Sequence, residues 1–134
     1  MSNLSILVHV ETSMTHQEQS SIAAILPLPT IAFHLLLGLS EGERHGYALK
    51  REIVSRTHGK LKPAPGALYG AINKMLEQGL IEESEERPDP HLDDERRRYY
   101  RITPLGRQVV RAEAARMQEL VDLAAERFGF RQNA

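Results

Sequence analysis

Chemistry in this chain would have to come from its 6 histidines, its 18 carboxylates and its hydroxyls, because it contains no cysteine. That absence removes disulfides, thiolate nucleophiles and Cys-ligated zinc, and it fits a reducing compartment. His45-Gly46-Tyr47 comes nearest to a catalytic cluster, but no acid–base partner sits at a convincing spacing. His45 is expected in the turn before a helix, with Tyr47 packed against the helical core. Asp89, His91, Asp93, Asp94 and Glu95 gather metal-ligand types in one stretch. They lack the glycine turn and terminal bidentate glutamate of a calcium loop, and one histidine is thin for zinc. A solvated acidic loop is expected there. No Gly-rich phosphate loop, nucleophile elbow or His-Glu-x-x-His occurs. The sequence points away from an enzyme, and it implies no metal and no cofactor.

Recognition is the chemistry left, and residues 61–81 are shaped for it. Leu68, Ile72, Met75 and Leu76 recur at helical spacing and make one apolar stripe. The opposite face, Gly66, Ala67, Gly70, Asn73 and Lys74, is nearly bare of bulk and carries no acid. Pro65 suits the first helical turn and Gly79 the stop. Glycine at position 70 costs a helix roughly 1 kcal/mol relative to alanine, so close approach by another surface is its expected use. From spacing alone that surface is either another part of this protein or a partner.

The elements that must position this helix come in order. Residues 1–29 show no reliable period; a frayed extension and a short helix from Ser20 to Leu26 are the two readings. Met14 is a second candidate start. Thr30 is expected to cap a helix through Leu39. A second helix runs from about Gly46 to His58, burying Leu49 and Ile53 and exposing Lys50, Arg51 and Arg56. Three helices joined by short polar turns match helix-turn-helix organisation. Ile81 to Glu86 and Arg97 to Ile102 read as an acidic and a basic strand of one hairpin, around a proline-rich acidic stretch. Cross-strand ion pairs would give those arginines a structural role, at roughly 0.2–1 kcal/mol each. Alternation places Tyr100 and Ile102 on the core side and Arg97, Tyr99 and Arg101 outward. Thr103-Pro104 opens a last helix in which Val110, Ala114, Met117, Val121, Ala124 and Phe128 follow at spacings of four and three. That is an a/d seam of about three heptads, long enough to need a partner chain.

Four pieces of this sequence fall in register with one family: His45-Gly46-Tyr47, Pro65-Gly66-Ala67-Leu68-Tyr69, Leu76-Glu77-Gln78-Gly79-Leu80-Ile81, and Arg98-Tyr99-Tyr100-Arg101-Ile102-Thr103 with Gly106. Over roughly residues 31–127 the chain resembles the PadR family of bacterial transcriptional regulators. The resemblance implies a mainly α (α+β) fold: a winged helix-turn-helix domain at 30–103 with a two-stranded wing. A long dimerisation helix at 104–130 follows, and 1–29 is an N-terminal extension. It implies a homodimeric, sequence-specific repressor bound to a pseudo-palindromic operator in double-stranded DNA, with helix 65–78 in the major groove. Tyr69, Asn73 and Lys74 would make polar contacts, Pro65, Gly66, Ala67 and Gly70 the close approach, and Lys62, Arg97, Tyr99 and Arg101 the backbone anchors. Ala67 stands where a hydroxyl is common in the family, so one polar contact is absent. Asp89, Asp93, Asp94 and Glu95 would be repelled by phosphates, so the wing tip is expected to point away from DNA.

Relatives of this kind often answer to a small-molecule effector near the dimer interface; here the low aromatic content argues against a large aromatic sandwich pocket. At 134 residues and net charge −1, a nucleic-acid surface must be a local patch. No apolar run reaches the ~18 residues of a membrane span, and a cytoplasmic location is the expectation. A winged-helix protein-interaction module without specific DNA binding is the alternative that the neutral charge favours.

Overall fold

The computed structural model describes residues 15–84 and 98–130. Among them the elements run α1 (His16–Ile25), α2 (Thr30–Gly38), β1 (Arg44–His45), α3 (Gly46–Arg56), α4 (Pro65–Glu77), β2 (Ile81–Glu83), β3 (Tyr99–Ile102) and α5 (Pro104–Phe128). Two compact units result. One is Leu28–Val110; the other brings α1 together with α5 from Arg111 onward.

In the larger unit, α2 is apolar nearly all round and lies against both α3 and α4. Leu35, Leu36, Leu39, Leu49, Ile53, Leu68, Ile72 and Met75 form its buried centre. Pro29, not Thr30, occupies the N-cap of α2, and no side chain caps it, so the expected threonine cap is displaced by one residue. The start of α3 is capped by an imidazole: the Ala48 N–H donates to His45 Nδ1 at 3.1 Å. At its end the His58 N–H donates to Ser55 O and the Gly59 N–H to Val54 O. That double bond pattern wants a left-handed residue at the first position past the cap. His58 fills it with φ 54°. It is exposed, and only glycine adopts that backbone freely. His58→Gly is therefore expected to raise stability by about 0.5–1 kcal/mol and the melting temperature by a few degrees, read by thermal circular dichroism.

Pro65 opens α4 at its first turn, as the sequence predicts. Gly79, at φ 75°, closes it. The Leu80 N–H donates to Met75 O at 2.9 Å and the Gly79 N–H to Leu76 O at 3.1 Å, which satisfies the last carbonyls and turns the chain into β2. Leu80 is fully buried beside that turn.

The expected two-stranded wing is present as β2 and β3, and the sheet adds a third strand that the sequence reading lacked. The three strands are antiparallel, in the order β1-β3-β2. Arg44 pairs with Tyr100 and His45 with Tyr99; Ile81, Glu82 and Glu83 pair with Ile102, Arg101 and Tyr100. A strand of two residues is too short to show a period, which is why the pattern missed β1. Alternation along β3 is as expected: Tyr100 is buried, Tyr99 half-buried and Arg101 exposed.

Thr103 joins three elements. Its hydroxyl accepts from the Gly106 N–H, capping α5, and donates toward Gly79 O at 2.6 Å and Leu80 O at 3.0 Å. A first-position proline follows it, as predicted.

The smaller unit answers the two readings of the N-terminal segment in favour of a helix, which starts at His16 rather than Ser20. Thr15 and Glu18 make a capping box: the Glu18 N–H donates to Thr15 Oγ1 and the Thr15 N–H to Glu18 Oε2. That signature was readable as Thr-x-x-Glu. Ile22 is the buried residue of α1. Glu113 of α5 is buried as well and takes a hydrogen bond from Arg116 Nε. No single described helix is long and apolar enough to cross a membrane.

Candidate nucleic-acid interface

The front of α4 is open. Gly66, Ala67, Gly70, Asn73 and Lys74 are all exposed, as are Pro65 at its start and Lys62 just before it. A Cβ built on Gly66 or Gly70 would meet nothing within 4 Å. The opposite side is sealed, with Leu68, Ile72 and Met75 each 1% exposed. Of the two surfaces that spacing alone left open, packing inside this unit is the one the coordinates remove. What remains is a strip of small side chains with an amide and an ammonium at its C-terminal half, free of carboxylates except for Glu77.

Tyr69 differs from its neighbours on α4. It is half-buried, and its ring lies over the backbone of Gly46, where an added Cβ would come 3.0 Å from Cε1 and 3.2 Å from the hydroxyl. Gly46 thus provides the gap that lets α3 and α4 approach. Nearby, Tyr100 has its hydroxyl pushed above the ordinary tyrosine range, first by burial and then by Glu83. It therefore stays neutral at physiological pH.

On the outer face of the sheet, Arg101 is held by two carboxylates, Glu82 at 2.7 Å across the strands and Glu43 at 3.6 Å from the turn before β1. Arg98 similarly approaches Glu83 at 3.6 Å. The structural role foreseen for the basic strand is thus in place. Being exposed, these pairs contribute little to stability, and phosphates can compete for the guanidinium groups. Tyr99 lies on the same face, edge-on to His45 with ring centroids 5.5 Å apart. Arg97 and the acidic stretch with Asp89, His91, Asp93, Asp94 and Glu95 lie outside the described residues. Among the described residues no cluster of His, Asp and Glu is placed to hold a metal ion.

One expectation is overturned. Tyr47 does not pack on the helical core but is 56% exposed. The reason is its place on α3: Gly46 and Leu49 take the inward positions, and Tyr47 falls on the face shared with Arg51 and Ser55.

Along α5, Val110, Met117 and Ala124 are half-buried, while Ala114, Val121 and Phe128 are exposed, Phe128 by 82%. Leu120 and Leu123 are exposed beside them.

Comparison with known proteins bears on this arrangement of open helix, small sheet and long helix. The model of the transcriptional regulator PadR-like family matches residues 35–112, more than half of the chain. The chain belongs to the PadR-like family. A Mycobacterium tuberculosis relative, transcriptional regulator Rv3488, is 34% identical over 90 residues, covering 67% of this chain and 78% of its own. A 37.1 kDa protein of transposon TN4556 from Streptomyces fradiae is 33% identical over 86 residues, covering 64% of this chain; the match spans only 22% of that longer protein. Among solved structures, a transcriptional regulator from Clostridium thermocellum superposes with TM-score 0.59 at 26% identity, covering 73% of this chain and 88% of that one. Bacillus subtilis PadR in complex with operator DNA superposes with TM-score 0.53 at 17% identity, covering 64% of this chain and 47% of that one. At that identity the likeness is one of fold. The chain is thus a PadR-family transcriptional regulator with a DNA-binding winged helix, and the residues that carried the resemblance have separate tasks. His45 caps α3, Gly46 admits Tyr69, Leu68 fills the core, Gly79 ends α4, and Thr103 ties the start of α5 to the end of α4.

Proposed function

We propose that the protein is a homodimeric, sequence-specific repressor that reads a pseudo-palindromic operator with two copies of α4, about one helical turn apart. The observation that carries this reading is the unobstructed front of α4, with Gly66 and Gly70 open and Asn73 and Lys74 exposed. Asn73 suits adenine and Lys74 guanine or a phosphate; Tyr69 adds its hydroxyl at the rim, and Lys62, Tyr99, Arg101 and Arg97 anchor the backbone. Residues 30–103 form the DNA-binding domain of this proposal, and residues 104–130 pair across the dimer through Val110, Ala114, Met117, Val121, Ala124 and Phe128. The apolar side chains left exposed along α5 support that pairing, and the operator complex of Bacillus subtilis PadR supports the mode of binding. Release by a small-molecule effector and a cytoplasmic location belong to the same proposal.

The competing reading, a protein-interaction module, draws on the net charge of −1 and on the carboxylates that already hold Arg98 and Arg101. Selection of bound fragments from genomic DNA, followed by footprinting over a salt series, separates the two. Specific binding should weaken steeply with salt, by a slope of about 0.9 per phosphate neutralised. Asn73→Ala should lose about 1–3 kcal/mol on the selected site and relax preference at one base position. Equal affinity of wild type and Asn73→Ala would remove Asn73 from base readout, and a chain without site preference would leave the interaction module standing.

A further inference from the structure

We propose that α3 carries a second DNA contact, in which Tyr47 and Arg51 together grip the sugar–phosphate backbone beside the groove that α4 enters. This rests on the DNA-binding reading above and adds residues outside the surface assigned there.

Tyr47 is a large aromatic side chain with more than half of its surface in solvent. It is not loose. The His45 ring stacks on one side at 6.5 Å and 17°, and the Arg51 guanidinium lies 5.2 Å from its centroid. A ring held this way has already given up much of the rotamer freedom that binding would otherwise remove. The same contact holds the guanidinium beside the ring, one helical turn along from it.

Charge separates Arg51 from three of the other exposed arginines of this unit. Arg56 has Glu52, Arg98 has Glu83, and Arg101 has Glu82 and Glu43. Arg51 has no ion pair with any described carboxylate, and its face of α3 continues with exposed Ser55. That face is cationic and polar rather than apolar, which matches a polyanion better than a protein groove.

The patch is also continuous with the proposed interface. Gly46, directly before Tyr47, lies under Tyr69 of α4, and His45 meets Tyr99 of the sheet edge-on at 5.5 Å. Tyr99, His45, Tyr47 and Arg51 therefore form a row that runs from the outer face of the sheet onto α3, with α4 touching its middle. In helix-turn-helix docking the first helix of the pair crosses the phosphate backbone while the second enters the groove. The phenol can donate to one phosphate oxygen, and the guanidinium can make a charge-assisted pair with another.

The test uses the full chain and its selected operator, titrated across a salt series with wild type, Arg51→Gln, Tyr47→Phe and Lys74→Ala. Arg51→Gln should weaken binding about tenfold on every sequence alike and lower the salt slope by about one per half-site. Tyr47→Phe should weaken binding severalfold with the slope unchanged, because it removes a hydroxyl and no charge. Melting temperatures of both variants should match wild type, since both side chains are exposed. Wild-type affinity and slope in Arg51→Gln, while Lys74→Ala is impaired, would overturn the α3 contact and leave the α4 reading intact. A wild-type chain without salt-dependent site preference would overturn both.

Discussion

Gly106→Ala should lower the unfolding free energy by about 3 kcal/mol, a large share of the roughly 5–15 kcal/mol that keeps a small domain folded. An added Cβ would fall well inside contact distance of the Leu80 carbonyl oxygen and 2.7 Å from Ile102 Cγ1. Neither neighbour can move cheaply. Leu80 is fully buried, and its carbonyl accepts both the Thr103 N–H and a share of the Thr103 hydroxyl. Ile102 is fixed opposite Ile81 in the sheet. The strain must go into the junction of α4, β2 and α5, which also sets the orientation of the reading helix. Chemical denaturation with circular dichroism measures it, and a loss below about 1 kcal/mol would mean that α5 slides away from Leu80 at little cost.

The second large effect is expected from the exposed seam of α5. Val121→Asp with Phe128→Asp should convert the protein to a monomer at micromolar concentration and reduce operator affinity by about 10²–10⁴-fold. Both side chains are exposed in the single chain, Val121 by 44% and Phe128 by 82%, so the substitutions should leave its folding intact. Burying a phenylalanine stabilises an interface by about 1.5–3 kcal/mol, and a carboxylate in its place would be desolvated without a partner. Sedimentation and fluorescence anisotropy on labelled operator read the two consequences separately. A double variant that still sediments as a dimer would move the interface elsewhere. A monomer that keeps wild-type affinity would show that half-sites are read singly.

How legible these features were depends on the length scale of each signal. The faces of α4 stood out because thirteen residues allow the 3.6 period to declare itself, and Pro65 and Gly79 mark its ends for reasons local to the backbone. The long stripe of α5 was equally plain. β1 was hidden because two residues have no period, and its pairing with β3 depends on a contact more than fifty positions away. Tyr47 was misjudged because a tyrosine beside a glycine and a leucine fits either face of α3; the choice was made by Tyr69, which needs the space over Gly46. The carboxylate partners of Arg101 were half visible. Glu82 followed from the hairpin, whereas Glu43 could be seen only once β1 was in place.

Thr103 carries a consequence for how the molecule comes apart. Its single hydroxyl holds the carbonyls just past α4 and the Gly106 amide in the first turn of α5 at once. Fraying at either terminus would strand a donor or an acceptor at the other, so the two helix ends should open together as one foldon instead of unravelling in turn. Local breathing that loosens the reading helix is thereby coupled to the onset of the longest helix, and its cost is shared between them.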